Sequence, residues 1–274
     1  MIPAPVGYQC PECVADARRA FRQTPTQAVR AVGRASLTNI TLAVLAAVFL
    51  VQVVGGQGLG VGVTSSQADP LFVHGGMQPA SVALGDYYRL FTSMFLHLSV
   101  LHILFNGWAL LIFGRFVENA LGRVAFAVVF LLGGLCGSVA SYLFAFPAVT
   151  SAGASGAIVA LFGAFIVYNY RRRQTAMSRA NLQSALIIIL LNLFLTLGVR
   201  QIDWRAHLGG LVGGLILGGA LDARGSLGTR NVVRVATILG VAVAVVGLVL
   251  FRTAQLRQQY GVGGLEQLAR ILGS

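Results

Sequence analysis

Four polar side chains suited to acyl-transfer chemistry interrupt apolar stretches of this sequence. Ser155 lies in GASG, His207 lies in AHLGG, and His102 and Asn106 lie four residues apart in HILFN. A serine hydroxyl becomes a good nucleophile when a base takes its proton, and histidine is the usual base. Imidazole, amide and backbone N–H groups can stabilise the oxyanion that forms on attack. The residue types therefore indicate a serine nucleophile with a histidine base, provided that the fold brings them together.

Each of these residues also has an ordinary structural interpretation. Ser155 alone is typical of a helix cap or a small packing residue. His207 alone can hydrogen-bond to a neighbouring helix, and Asn106 alone can join two helices. Asp203, four residues before His207, is a candidate for orienting the histidine, but an N-cap in a loop is the better interpretation. Catalysis is favoured over packing only if these residues reach the same place.

Composition assigns the chain to the helical membrane proteins. Of its 274 residues, 56% are hydrophobic and 10% are charged, whereas soluble domains have about 25% charged residues. The formal net charge is +12, and every basic residue is an arginine. Such a charge can indicate nucleic-acid binding, but these arginines lie in short segments between apolar runs, where membrane topology requires them. We therefore expect the lipid bilayer, and no nucleic acid, as a partner.

Seven apolar stretches approach the roughly 20 residues that a helix needs to cross a bilayer. They cover about 38–55, 100–117, 124–146, 155–170, 181–198, 206–221 and 231–251. We predict an all-α, polytopic bundle of seven transmembrane helices over residues 38–251. Residues 1–37 form an arginine-rich arm before it, a polar loop at about 56–99 separates the first two spans, and residues 252–274 form a polar tail.

The arginines also predict an orientation, because cytoplasmic loops carry most of the positive charge. Their distribution, with the strongest cluster at 171–173, favours a cytoplasmic N-terminus and an extracytoplasmic C-terminus in the cell membrane. His102, Ser155 and His207 then each lie within about two helical turns of the outer end of a span. Three separate spans thus bring them to one depth, which the ordinary structural interpretations do not predict.

Small residues recur at every fourth position in the third and sixth spans. They are Gly133, Gly137, Ser141, Gly210, Gly214 and Gly218. This spacing lets helix backbones approach closely within lipid. We therefore predict a tightly packed bundle.

The three cysteines divide into a pair and a single residue. Cys10 and Cys13 form CPEC, a spacing typical of zinc ligands, whereas Cys136 lies inside an apolar run as a small packing residue. Two cysteines make half of a tetrahedral zinc site, and a redox-active or unliganded pair fits them equally well. Zinc at Cys10 and Cys13 is therefore one of two open interpretations.

Three motifs together resemble those of the rhomboid intramembrane serine proteases. GASG, HILFN and AHLGG follow the serine, the oxyanion and the histidine motifs of that family, and the resemblance covers about residues 85–220. It implies a rhomboid-like six-helix core with one helix added at the C-terminal end. It implies a water-filled cavity open to the outside, with the fifth span as a lateral gate. It also implies that CPEC is the end of a fuller zinc-binding module, so that the true start lies upstream.

The resemblance implies catalytic roles for individual residues. Ser155 and His207 would form a dyad that needs no acid. The oxyanion would be stabilised by the His102 and Asn106 side chains, with the Ser155 backbone N–H and Gly153 completing that group.

Further residues are matched to structural roles by the same resemblance. His97 and Arg89, the latter in the pair Tyr88–Arg89, would support the loop before the second span. Glu118 in GRFVENALG would help to hold the fold. Val159 departs from the family pattern, in which an aromatic side chain more often stacks on the catalytic histidine.

The sequence thus predicts a serine endopeptidase, a hydrolase that cleaves peptide bonds in or beside the transmembrane helices of membrane protein substrates without a cofactor. An alternative is a catalytically inert rhomboid-like protein that binds membrane helices. Such a binder would need neither Ser155 nor His207, and both are present. A transporter or channel is disfavoured because it would carry polar groups through the membrane midplane, whereas the polar groups here stop near one face.

Overall fold

The computed structural model describes residues 2–3, 8–10, 36–57, 69–198 and 202–270. The chain divides into two compact units, residues 1–36 and residues 37–274. In the first unit, strand β1 (Ile2–Pro3) pairs antiparallel with strand β2 (Tyr8–Gln9). Most of the predicted N-terminal arm, with Cys13, lies outside the described residues.

The second unit is helical. Its helices in chain order are α1 (Leu37–Gln52), α2 (Pro70–Gly75), α3 (Pro79–Leu84), α4 (Arg89–Thr92), α5 (Val100–Ala109), α6 (Arg115–Leu121), α7 (Arg123–Phe144), α8 (Ser155–Arg171), α9 (Ala176–Gly198), α10 (Trp204–Leu221) and α11 (Leu227–Arg270). A π-helical turn at Val53–Gln57 extends α1, and another at Leu110–Gly114 joins α5 to α6. A helical segment therefore lies at each of the seven predicted places.

Among the described residues, four helical segments are both long and apolar enough to cross a membrane. They are Leu37–Gly55, Val100–Leu121, Arg123–Phe144 and Leu227–Arg270. The predicted all-α, polytopic fold is confirmed, while the count of seven crossing helices stays a prediction. The other three places hold α8, α9 and α10, of which α8 has only 17 residues.

Small residues hold α7, α8 and α10 together at close range. A Cβ atom on Gly137 would lie 2.7 Å from the carbonyl oxygen of Ala206, and one on Gly218 would lie 2.6 Å from the Cα of Ala164. Side chains larger than hydrogen would push the helices apart, so the recurring glycines permit backbone contact. The apolar core beside this contact includes the fully buried Phe126 and Phe130.

Glu118, at the end of the second span, fixes the start of the first. Its carboxylate accepts hydrogen bonds from the backbone N–H groups of Leu37 and Thr38 at 2.8 and 2.9 Å and from the Thr38 hydroxyl at 2.7 Å. The first N–H groups of a helix have no partner within the helix. Glu118 therefore satisfies the beginning of α1 from 80 residues away in sequence.

In the described part of the loop between the first two spans, residues 69–99, Arg89 joins three short helices at their ends. The buried Arg89 guanidinium donates to the carbonyl oxygens of Val73 and Gly76 and pairs with Asp86 at 2.9 Å. Asp69 begins α2 as its N-cap. The described part of this predicted polar loop therefore contains short helices joined by buried hydrogen bonds.

The C-terminal helix α11 is far longer than the predicted span at 231–251. It continues through residues 252–270, which were predicted to form a tail, and bends at Gly261, whose φ is +65°. Residues 252–270 pack on α3 and α7. Arg257 donates to the carbonyl oxygen of Ala83 on α3 at 2.7 Å, and the Thr253 hydroxyl lies 2.8 Å from the Tyr142 hydroxyl on α7.

Candidate active site

Ser155 is the first residue of α8, and the loop that leads to it is anchored on both sides. Ser151 exchanges two backbone hydrogen bonds of 2.9 Å with Met77, and the N–H of Gly153 donates to the carbonyl oxygen of Ser93 at 2.9 Å. Gly153 has a φ of +138°, which favours glycine. This conformation leads into α8, where Ser155 is half-buried and has its backbone N–H at the helix N-terminus.

His102 meets Ser155 across Gly153. A Cβ atom on Gly153 would lie 2.9 Å from Nε2 of His102 and 3.7 Å from Oγ of Ser155. The Ser99 hydroxyl caps α5 by accepting from the backbone N–H of His102 at 3.2 Å. The bare face of Gly153 therefore provides the space between an imidazole and the serine hydroxyl.

Asn106 lies one turn further along the same helix as His102. Its side chain is buried, and its amide nitrogen Nδ2 has no hydrogen-bond partner within the described part of the chain. Leaving a buried donor unsatisfied costs about 1–3 kcal/mol. An N–H group kept at such a cost is suited to a ligand atom that arrives only during a reaction.

His207 joins the group from the first turn of α10. Its neighbour Ala206 lies against Gly156, the neighbour of Ser155. A Cβ atom on Gly156 would be 3.3 Å from the carbonyl oxygen of Ala206. The backbone contact between α8 and α10 thus adjoins both the serine and the histidine.

Asp203 is the N-cap of α10. Its carboxylate accepts from the backbone N–H groups of Arg205 and Ala206 at 3.1 and 3.3 Å and from the Ser141 hydroxyl. These bonds engage the carboxylate in starting the helix and fastening it to α7. The N-cap interpretation of the sequence therefore describes its observed contacts.

Sequence reasoning missed a buried polar chain behind His102. Gln52, at the end of α1, donates from Nε2 to Asp69 at 2.6 Å and accepts at Oε1 from the backbone N–H of His97 at 3.0 Å. The His97 ring lies edge-on to the His102 ring at 5.1 Å between centroids. Gln52, Asp69 and His97 are all fully buried. An amide inside the apolar first span was the available signal, since such residues are rarely placed without function.

His97 stays uncharged in this setting. Burial, and then the charge of His102, lower the pKa of His97 to about 3 from the ordinary 6.5. Near neutral pH a neutral ring therefore supports His102, and no second positive charge enters the site.

The metal expectation finds no support. In the ranges that the structure describes, no group of three or more His, Cys, Asp or Glu side chains could hold a metal ion. Cys10 is exposed, and its predicted companion Cys13 lies outside those ranges.

Comparison with known proteins identifies the family of this chain. A family model of the rhomboid domain matches residues 84–224, just over half of the 274. The chain belongs to the rhomboid family. The resemblance inferred from GASG, HILFN and AHLGG is confirmed, and its predicted extent of about 85–220 falls within the matched range.

Curated relatives of this rhomboid include proteins of a bacterium and a plant. It is 33% identical over 185 residues to the rhomboid protease GluP of Bacillus subtilis, an alignment covering 66% of this chain and 34% of that protein. It is 33% identical to the putative rhomboid protease YdcA of the same species, covering 50% and 68%. It is 35% identical to the mitochondrial RHOMBOID-like protein 6 of Arabidopsis thaliana, covering 48% and 43%. The alignments thus span about a third of GluP, less than half of RHOMBOID-like protein 6 and about two thirds of YdcA.

Proposed function

We propose that this rhomboid is an intramembrane serine endopeptidase that cleaves peptide bonds in or beside transmembrane helices of membrane proteins. The observation that carries the proposal is the closeness of Ser155 and His102 to the bare face of Gly153, together with the contact of Ala206, the neighbour of His207 on α10, with Gly156, the neighbour of Ser155. A binder of helices would need none of this chemistry. Two relatives named as proteases or putative proteases support the same assignment.

In the proposed reaction, Oγ of Ser155 attacks the scissile carbonyl carbon while His207 takes the hydroxyl proton. The oxyanion is stabilised by the Asn106 amide, the His102 imidazole and the backbone N–H of Ser155, with Gly153 leaving room for the substrate backbone. His207 then gives its proton to the leaving amine. Water, deprotonated by His207, hydrolyses the acyl-enzyme and restores the serine hydroxyl. No metal or cofactor takes part.

Substrate selection follows from the state of a transmembrane helix. A helical carbonyl is hydrogen-bonded within its helix, so the scissile segment must unwind before attack. Small or helix-breaking residues at the scissile bond would ease that step. We propose that the substrate helix enters beside α9, the fifth span.

We also propose that the protein lies in the cytoplasmic membrane with its N-terminus in the cytoplasm and its C-terminus outside. The arginine distribution supports this orientation. The test introduces Arg173→Cys or Arg270→Cys, one at a time, into a variant without the native cysteines. Intact cells are then treated with a membrane-impermeant maleimide. Labelling of position 270 but not of 173 is expected, and the reverse pattern would refute the orientation.

The proposed activity is tested with purified protein in liposomes and a generic transmembrane substrate. Wild type and Ser151→Ala, which changes a serine of the same loop, are expected to cleave it. Ser155→Ala and His207→Ala are expected to lose cleavage, by several orders of magnitude when a nucleophile or its base is removed. Equal cleavage by Ser155→Ala would show that another nucleophile acts.

A serine-directed fluorophosphonate separates the enzyme from the inert-binder alternative. Wild type and Ser151→Ala should be labelled at Ser155, and Ser155→Ala should not. A folded wild-type protein that neither cleaves nor labels would instead be a membrane-helix binder.

A further inference from the structure

A second polar site lies at the other end of the helices that carry Ser155 and His207. A cleft of about 410 Å³ is lined by Arg172, Arg224, Arg230, Arg234 and Asp222, together with apolar residues of α6 and α10. Because α8 begins at Ser155 and ends at Arg171, the cleft is about 25 Å from the serine at 1.5 Å per residue. It is therefore not part of the candidate active site.

Among the described residues, Asp222 is the only carboxylate that lines this cleft, and it is already neutralised. Arg172 donates two hydrogen bonds to the Asp222 carboxylate, at 2.8 and 2.9 Å, and the side chain of Asp222 is 8% exposed. The carboxylate beside it raises the pKa of Arg172. This pair contributes no net charge to the cleft.

The remaining three arginines have no carboxylate within 4.0 Å in the described ranges. Arg234 donates to the carbonyl oxygen of Leu221, and Arg224 donates to that of Arg171. Nε of Arg230 is buried and, within the same ranges, without a hydrogen-bond partner. Three guanidinium groups around one cleft repel each other unless an anion lies between them.

Topology alone accounts for arginines on this side of the membrane, but not for their collection around a cleft. Basic pockets between membrane helices are suited to anionic head groups, and guanidinium groups match the oxygens of phosphate. Of the four candidate membrane-crossing helices among the described residues, the one that carries Arg230 and Arg234 is the least buried, with 6% of its membrane-crossing window buried. Val232 and Val235, beside these arginines, are exposed. A phospholipid with its phosphate in the cleft would therefore have its acyl chains along the exposed apolar face of α11.

We propose that this cleft is a binding site for a phosphate group, filled by the head group of an anionic phospholipid. The site needs three conditions that the cleft meets together: surplus positive charge, room for a head group and an adjoining apolar helix face. The proposal is independent of proteolysis, so the inactive Ser155→Ala variant serves equally well for its test.

The test measures thermal unfolding of the full chain in neutral detergent against increasing lipid. Phosphatidylglycerol should raise the unfolding midpoint at lower concentration than phosphatidylcholine of the same acyl chains. Arg230→Gln and Arg224→Gln should each require about fivefold more phosphatidylglycerol, the effect of one basic residue near an anionic surface. The matched control is Arg173→Gln, which removes an exposed charge outside the cleft and should change the requirement less than twofold.

Without lipid, Arg230→Gln should unfold at the same temperature as wild type or higher, because a repelling charge is removed. Arg224 is exposed, so Arg224→Gln provides the test if Arg230→Gln fails to fold. Equal requirements for both lipids, or an equal loss in Arg173→Gln, would overturn the site in favour of diffuse surface charge. Stabilisation by inorganic phosphate at the concentrations effective for phosphatidylglycerol would overturn the lipid assignment and indicate a soluble phosphate compound.

Discussion

Gly153 and His102 occupy adjoining space, since a Cβ atom on the glycine would lie 2.8 Å from Cε1 and 2.9 Å from Nε2 of the imidazole. The φ of +138° at Gly153 independently disfavours any side chain. Gly153 is thus required both for a positive φ and for the space that a Cβ atom would take from His102. Mutation can separate these two requirements.

Gly153→Ala should reduce proteolysis by about 10²-fold, the effect of displacing a catalytic group by about 1 Å. Gly85→Ala is the matched control, because Gly85 has a φ of +129° and no atom within 4 Å of an added Cβ. Both should lose about 1–3 kcal/mol of stability through backbone strain, but only Gly153→Ala should lose this activity. Rates are measured at saturating transmembrane substrate. Equal rates in the two variants would contradict a role for the Gly153–His102 contact.

Asn106→Leu should lower kcat by about 10²–10³-fold, as expected for loss of an oxyanion donor. The same change removes a buried N–H group that lacks a partner in the described structure, so the unfolding midpoint should be unchanged or higher. Asn169→Leu is the control for a satisfied amide, which donates to the carbonyl oxygen of Phe165 and accepts from Asn181. It should lose about 1–3 kcal/mol. A destabilised Asn106→Leu with normal kcat would assign Asn106 to packing.

Asp203→Asn should keep both the helix cap and the activity, because its amide oxygen can still accept from Arg205 and Ala206. Asp203→Ala should lose about 1 kcal/mol of stability with the cap. Replacing the acid of a serine protease triad with asparagine lowers kcat about 10⁴-fold. A fall of that size in Asp203→Asn would establish a triad, whereas we expect the activity to stay close to that of wild type because the cap is kept.

Gly210→Ala should separate Ser155 from His207, because the added methyl group would overlap the carbonyl oxygen of Gly156. Overpacking of this kind costs about 1–3 kcal/mol of stability. We expect the rate of proteolysis to fall by more than this loss of stability accounts for. Gly219→Ala, on the same helix, meets no atom closer than 3.8 Å and should behave as wild type. Similar effects of both changes on activity would remove the argument for close approach.

His97 should make folding stability depend on pH. The unfolded chain takes up this proton near pH 6.5, and the folded protein does so only near pH 3. Stability therefore falls as pH is lowered between these values. In His97→Gln the unfolding free energy should depend less steeply on pH, because about one proton fewer is taken up on unfolding between these pH values. Chemical unfolding across this range measures the slope, and an unchanged slope would contradict burial of a neutral His97.

Local sequence was sufficient to predict the class of fold and the principal candidate residues. Low charge and long apolar runs require a lipid environment and helices, since neither a soluble surface nor open sheets satisfy such a chain. Four-residue spacing of glycines indicated close helix packing, and GASG, HILFN and AHLGG indicated the family. These are properties of neighbouring residues, which sequence displays directly.

Tertiary structure alone decided which distant residues meet. Nothing in the neighbourhood of Gln52 shows that it would accept from the backbone of His97, 45 positions later. The pairing of Glu118 with the start of α1, and the return of residues 252–270 onto α3, are equally remote in sequence. The arginine cleft likewise arises where the ends of separate helices come together. Such contacts depend on how the helices are placed. Local propensity and hydrophobic periodicity do not show which distant residue a given side chain will contact.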